Sequence, residues 1–474
     1  MFRDPMMMSA RDTGRGRAGK RRPWATLAAA ILAVALTAGA GPAAAAPGSG
    51  SASGSGSGWG SGSGSGSRGE FYQPPTPLPT GAPGQILRSE PFTLALAVPG
   101  GQGQVPANAT RIMYLSADTH GRPAAVTGTY LEPTLPWGGP GPRPLVAVAP
   151  GTQGQGDQCA PSKGFAELVH YSFPLDLWAG YEVVTAYSLL ARGMAVVMTD
   201  YHGLGTPAVH DYVNRAAEAH AVLDSIRAAG ALTGIARPSA IFGYSQGGGA
   251  AAAAAELHGE YAPELDVRGT YTGAPPADLR AVLASAPAIN GIVPGVLGGF
   301  APGLLGYTLN GIVANNPELA PVVDEVTSAA GKQMMAELAT TCVAEAVVRT
   351  MLRPVTWYTA GGRQPIEIID STPELAAVVD DQRIGRRTPV APVLIAGGTN
   401  DDVLTYPQVR QLAVDWCARG AEVQFEPTAW LPPLFPSTAI GHLLEFLPAT
   451  VAAHDWLTQR LAGVPAPSNC AALP

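Results

Sequence analysis

Lysine is almost missing from this chain. Beyond residue 46 only Lys163 and Lys332 occur, and charged residues of every kind make up 14% of the whole. Past that point 22 basic residues face 34 acidic ones, a net charge of about −12. A polyanion would need a basic stripe, and none exists, so nucleic acid is not an expected partner. Cysteine is scarce too. Cys159, Cys342, Cys417 and Cys470 never fall in CxxC spacing, which argues against zinc. An even number in an exported chain is read as two disulfides, with three possible connectivities. No organic cofactor is expected, because no motif for one appears. The near-Walker "GRGRAGKR" lacks the Ser or Thr that would bind magnesium.

The one compact apolar run comes early. "RGRAGKRRPW" precedes "ATLAAAILAVALTAGAG", and "PAAAAP" follows with small-residue cleavage sites. This reads as a secretory signal peptide over residues 1–46, with an arginine pair (Arg21, Arg22) that leaves a twin-arginine route open. No cysteine follows the run, which excludes a lipoprotein anchor, and no stable membrane anchor is expected. Residues 47–70 are Gly/Ser-rich and read as a flexible linker.

From residue 71 the pattern changes. "TRIMYLSADTHGRPAAVTGTYLEP" reads as two strands around a turn. Short apolar runs follow, ending in glycine-rich or acidic turns: "PLVAVAPGTQG", "GMAVVMTDYHGLG", "PSAIFGYSQG", "VRGTYTGAPP", "PVLIAGGTNDD" and "EVQFEP". Helical stretches separate most of them, so the expected class is α/β, with a mostly parallel sheet covered on both faces. Residues 71–276 and 386–474 would form the core, and 277–385 an inserted helical cap or lid. Residues 281–317 carry no charge at all, but Pro287, Pro294 and Pro302 interrupt them, so they do not form a spanning helix.

"IFGYSQG" puts Ser245 at a strand-to-helix turn, with Gly243 and Gly247 where side chains would clash. A serine there can be a nucleophile if a base and an acid follow in the order Ser, acid, His. His442, in the Gly-led "STAIGHLLEF", is read as lying in a loop before the last helix and is the chosen base. His454, inside a helical pattern, is read as a packing residue. Asp401, closing the Gly-x-x-Asp of "GGTNDD", is the first choice of acid, with Asp402 as competitor. The amide of Gln246 would supply one oxyanion donor; the other must come from "TDYHGLG" or "PGTQG", between which these residues do not choose.

These residues resemble the secretory lipase family of α/β-hydrolases. The likeness rests on "FYQPPTPLPTGAPGQILRSEPF", "VVMTDYHGLG", "GYSQGG", "GTNDDVLTYPQ", "DWCARG" and "GHLLEF". The resemblance implies Asp200 as the second oxyanion residue, a lid-bearing cap over an acyl-chain tunnel, and disulfides Cys159–Cys342 and Cys417–Cys470. The chain departs from the family at Leu404-Thr405, after the acid, and at Gln246, where a familiar member has glycine. The expected function is a secreted serine lipase or carboxylesterase acting on an acyl ester, such as lipid at a lipid–water interface. An acyltransferase or peptidase of the same fold, or a dead hydrolase scaffold used for binding, are the alternatives.

Overall fold

The computed structural model describes residues 69–95, 107–167, 169–172, 176–289, 299–434 and 437–473. The expected signal peptide, all but the last two residues of the expected linker, and part of the uncharged stretch 281–317 lie outside the described residues.

Among the described residues eleven strands occur: β1 (Ile86–Phe92), β2 (Ala107–Ala117), β3 (Pro123–Pro133), β4 (Leu145–Ala149), β5 (Val169–Ser172), β6 (Asp176–Ala179), β7 (Ala195–His202), β8 (Ser239–Tyr244), β9 (Val267–Gly273), β10 (Val393–Gly398) and β11 (Val423–Thr428). Nine form one sheet in the order β1-β2-β3-β7-β4-β8-β9-β10-β11, while β5 and β6 make a separate hairpin. The strands from β7 to β11 in that order run parallel; β1, β2 and β3 are antiparallel to their neighbours. The turn between β2 and β3 is held by Asp118, which accepts the amides of His120 and Arg122 at 2.9 Å each.

β4, β8 and β10 are buried at every residue, as strands covered on both faces must be. Alternate side chains feed two cores. Leu145, Ala147, Ile241 and Ile395 pack against the helices Arg215–Thr233, Gln246–Tyr261 and Tyr406–Ala418. Val146, Val148, Phe242 and Leu394 pack against Val183–Leu190 and Ile440–Leu461. The alanine run at residues 250–255 is 4% exposed or less. Its small side chains let the helix Gln246–Tyr261 sit close to both the sheet and its neighbouring helix.

Between β9 and β10 the described chain forms only helices, the longest being Leu279–Ile289, Ala301–Asn315 and Ala329–Leu338. Cys159–Cys342 fastens this block to the segment after β4, and Cys417–Cys470 pins the C-terminal segment. Both pairings are those the family resemblance implies.

Candidate active site

β8 ends at Tyr244, and Ser245 takes φ 61° and ψ −126° before the helix Gln246–Tyr261 begins. For a residue with a side chain, such a backbone costs about 1–3 kcal/mol, and it persists only when its surroundings enforce it. The Ser245 amide donates to the Gly273 carbonyl on β9 at 2.9 Å, and the Gly249 amide donates to the Ser245 carbonyl at 3.0 Å. The flanking glycines are steric necessities. A Cβ at Gly243 would overlap the Gly247 carbonyl, and one at Gly247 would overlap the Ala149 carbonyl at the end of β4.

His442 is buried and its Nδ1 lies 2.8 Å from Asp401 Oδ2. The other Asp401 oxygen accepts the amides of Val403 at 2.8 Å and Leu404 at 2.9 Å. Asp402 does different work. Its carboxylate accepts the amides of Thr438 (3.1 Å), Ala439 (2.8 Å) and His442 (3.1 Å). It thereby caps the helix Ile440–Leu461 from outside the chain's local neighbourhood, satisfying donors that a helix start leaves open. This corrects the sequence expectation of a loop: His442 stands in the first turn of that helix, because the cap comes from a residue about forty positions away. Tyr244, next to Ser245, donates from its hydroxyl to the His442 carbonyl at 2.8 Å, which places the histidine beside the serine turn. The Ser245 hydroxyl makes no hydrogen bond to His442 among the described residues.

Burial alone would push the His442 imidazole down. The neighbouring charge and hydrogen bond of Asp401, with the charges of Asp402 and Glu445, outweigh it and hold the pKa above its ordinary value. Glu445 is itself buried and pushed up to about 7, first by desolvation and then by Asp401. His454 is fully buried, bonds through Nδ1 to the Ser188 hydroxyl at 2.9 Å, and is driven down to about 3 by desolvation. It packs, as its helical setting suggests.

Gln246 follows Ser245 at the helix start, so its amide points toward the turn. Asp200 does not adjoin it. Asp200 lies on β7, and β4 intervenes between β7 and β8, a separation of two strand spacings, roughly 10 Å. Its carboxylate turns toward Ser162 and toward Thr127 on β3, accepting from Ser162 N at 2.8 Å and Thr127 Oγ1 at 2.7 Å. The segment that does adjoin the turn follows β4. Its Gly151 would carry a Cβ 3.3 Å from the Tyr244 carbonyl. Buried Glu182 accepts the Gly151 amide at 2.6 Å, and the Tyr181 hydroxyl donates to the Thr152 carbonyl at 3.1 Å. No local pattern in the sequence marks Tyr181 or Glu182, since both lie in a polar turn before a short helix.

An apolar wall stands around the turn. Tyr244, Ala274, Phe300, Leu404 and Phe446 form a buried cluster, joined by Val282 and Leu304 of the helical block.

The secretory lipase model matches residues 174–469. A probable inactive lipase of Mycobacterium tuberculosis is 31% identical over 404 residues, covering 83% of this chain and 82% of its own length. Lipase 10 of Candida albicans is 28% identical over 427 residues, 85% of this chain and 83% of that one. A secreted triacylglycerol lipase of Malassezia furfur is 27% identical, covering 75% and 72%. Among solved structures, Candida antarctica lipase A in its closed state matches with TM-score 0.68 over 84% of this chain and 87% of that one, at 19% identity. The rice cell wall degrading esterase LipA of Xanthomonas oryzae matches with TM-score 0.65 over 80% of this chain and all of its own, also at 19% identity. These likenesses establish the α/β-hydrolase fold. The turn at Ser245, the His442–Asp401 pair and the sheet order thus sit in a chain that belongs to the secretory lipase family.

Proposed function

We propose that the protein is a secreted serine carboxylic-ester hydrolase acting on lipid acyl esters. In this reading Ser245 attacks the ester carbonyl while His442 takes its proton, and Asp401 holds the imidazole tautomer and stabilises the imidazolium. His442 then returns the proton to the leaving alcohol. Water, activated by the same histidine, releases the acid from the acyl-enzyme. The oxyanion is held by the Gln246 amide and by an amide of the Thr152–Gln153 stretch, since that segment adjoins the turn and Asp200 lies two strands away. The helical block serves as cap, and the cluster around Phe300, Leu404 and Phe446 offers an apolar surface for the acyl chain. The observation that carries the reading is the 2.8 Å His442–Asp401 bond beside a serine held at positive φ.

One observation favours a second reading: a relative is named a probable inactive lipase. A scaffold kept for binding alone would leave Ser245 inert. Incubation of the folded protein with a fluorophosphonate probe separates the two. Labelling lost on Ser245→Ala supports the enzyme; an unlabelled wild type sinks it. Product analysis with a short-chain nitrophenyl ester, a triglyceride and a peptide then fixes the reaction. Peptide cleavage without ester turnover would overturn the esterase reading, and acyl transfer to added alcohol in preference to water would mark a transferase.

A further inference from the structure

Gln246 is where this chain departs from the glycine of a familiar family member, and its side chain is not idle. It is 2% exposed, and its amide nitrogen lies 2.9 Å from His210 Nε2 and 2.6 Å from Glu218 Oε1. Both partners must accept. His210 Nδ1 is 3.1 Å from the His202 carbonyl, which can only accept, so the proton sits on Nδ1 and Nε2 keeps its lone pair. Burial drives His210 down to about 4, so the ring stays neutral across the working range of an esterase. Glu218 Oε1 also accepts the Val213 amide at 3.0 Å.

The other face of His210 leads to the second half of the site. Its ring stacks on Tyr201, with centroids 5.6 Å apart and planes 12° from parallel. Tyr201 has φ 67°, and its hydroxyl donates to the Pro150 carbonyl at 2.8 Å, immediately before Gly151. One buried imidazole therefore touches the residue after Ser245 and, through Tyr201, the segment after β4.

The geometry points to His210 as a positioning residue that holds the two halves of the oxyanion hole in register, with Glu218 completing the grip on Gln246. This rests on the reading of Ser245 proposed above. The ring contributes no group to the substrate; it acts through the two backbone segments whose amides would face the oxyanion. A misplaced donor lowers turnover without changing ground-state binding.

The test uses the full-length protein and a short-chain nitrophenyl ester, with melting temperature and fluorophosphonate labelling rate followed in parallel. Gln246→Met fills the same space without a donor, and His210→Phe keeps the stack on Tyr201 without the acceptor. Each is expected to lower kcat about tenfold, a fraction of what losing an oxyanion donor outright costs, with KM within about twofold. The labelling rate falls in step. Because both remove the Gln246–His210 hydrogen bond, the double variant is expected to be no slower than the slower single. Glu218→Gln offers the same acceptor to Gln246 and is expected to retain more kcat than Gln246→Met. Folded Gln246→Met and His210→Phe with kcat within twofold of wild type would overturn the inference, as would losses that multiply in the double variant. If His210→Phe does not fold, Gln246→Met against Glu218→Gln decides. A wild type that neither turns over ester nor takes the label refutes the esterase reading itself, an outcome distinct from labelled variants with unchanged kcat.

Discussion

The adjacent carboxylates Asp401 and Asp402 invite a direct exchange of roles, and the structure assigns them different costs. Asp401→Asn removes the acceptor of His442 Nδ1 but keeps one oxygen for the amides of Val403 and Leu404. The imidazole loses its tautomer control and its counter-charge, so kcat is expected to fall by about 10³- to 10⁴-fold, which is about 4–5.5 kcal/mol of transition-state stabilisation. Stability should change little. Asp402→Asn instead takes a charge from the start of the helix Ile440–Leu461 and turns an amide group against backbone donors. That costs about 2 kcal/mol of stability and no more than about tenfold in kcat. The assay is kcat and KM on a nitrophenyl ester from pH 5 to 9, with urea unfolding alongside. The base acts only when neutral, and Asp401 helps hold the His442 pKa above its usual value. The acidic limb of kcat/KM should therefore lie above about 6.5 in wild type and move to lower pH in Asp401→Asn. A loss of 10³-fold in Asp402→Asn with Asp401→Asn within tenfold of wild type would refute this division of labour.

Three further outcomes follow from the same geometry. Ser245→Gly relieves the positive φ and is expected to raise stability by about 1 kcal/mol while abolishing fluorophosphonate labelling; a destabilised variant would contradict the strain. Removing Cys159–Cys342, whose residues are 183 apart, should cost about 5 kcal/mol by loop entropy, read as a lower urea midpoint for a Cys159→Ala/Cys342→Ala protein. Glu182, Glu218 and Glu445 are pushed up to about 7, 8 and 7 by burial. The folded chain thus holds these protons more tightly than the unfolded one, where carboxyls titrate near 4.3. Their contribution is complete below that value and is lost as pH rises toward 7 and 8. Melting temperature should fall between about pH 5 and 8, and Glu218→Gln should flatten the fall; an unchanged slope would contradict it.

What the sequence makes legible is what short-range patterning controls. β4, β7, β8, β9 and β10 announce themselves as apolar runs closed by glycine or acidic turns, because strands buried on both faces need little else. β1 does not. "ILRSEPF" lies at the sheet edge with every residue exposed or intermediate, so it carries no continuous apolar run. The short hairpin β5–β6 is hidden for another reason, since it belongs to no core strand pattern and pairs only with itself. The start of the last helix is misplaced in the sequence reading because its cap is Asp402, and a cap supplied from another strand end leaves no mark among the residues just before Ile440.

The proposed second oxyanion donor shows most clearly where linear reading stops. Two strand ends, "PGTQG" and "TDYHGLG", are equally glycine-rich and equally early, so composition cannot separate them. The choice depends on which strand lies against β8, and chain order conceals that β7 is laid down outside β4. Once the order is known, the consequence is steric. Gly247 can approach the Ala149 carbonyl only because it has no side chain, and that approach brings the segment after β4 to the serine. Asp200 retains a use in the same region: β7 carries it toward Ser162 and Thr127, while the next residue, Tyr201, supports Pro150. The "TDYHG" stretch thus bears on the candidate site by holding up the neighbouring segment.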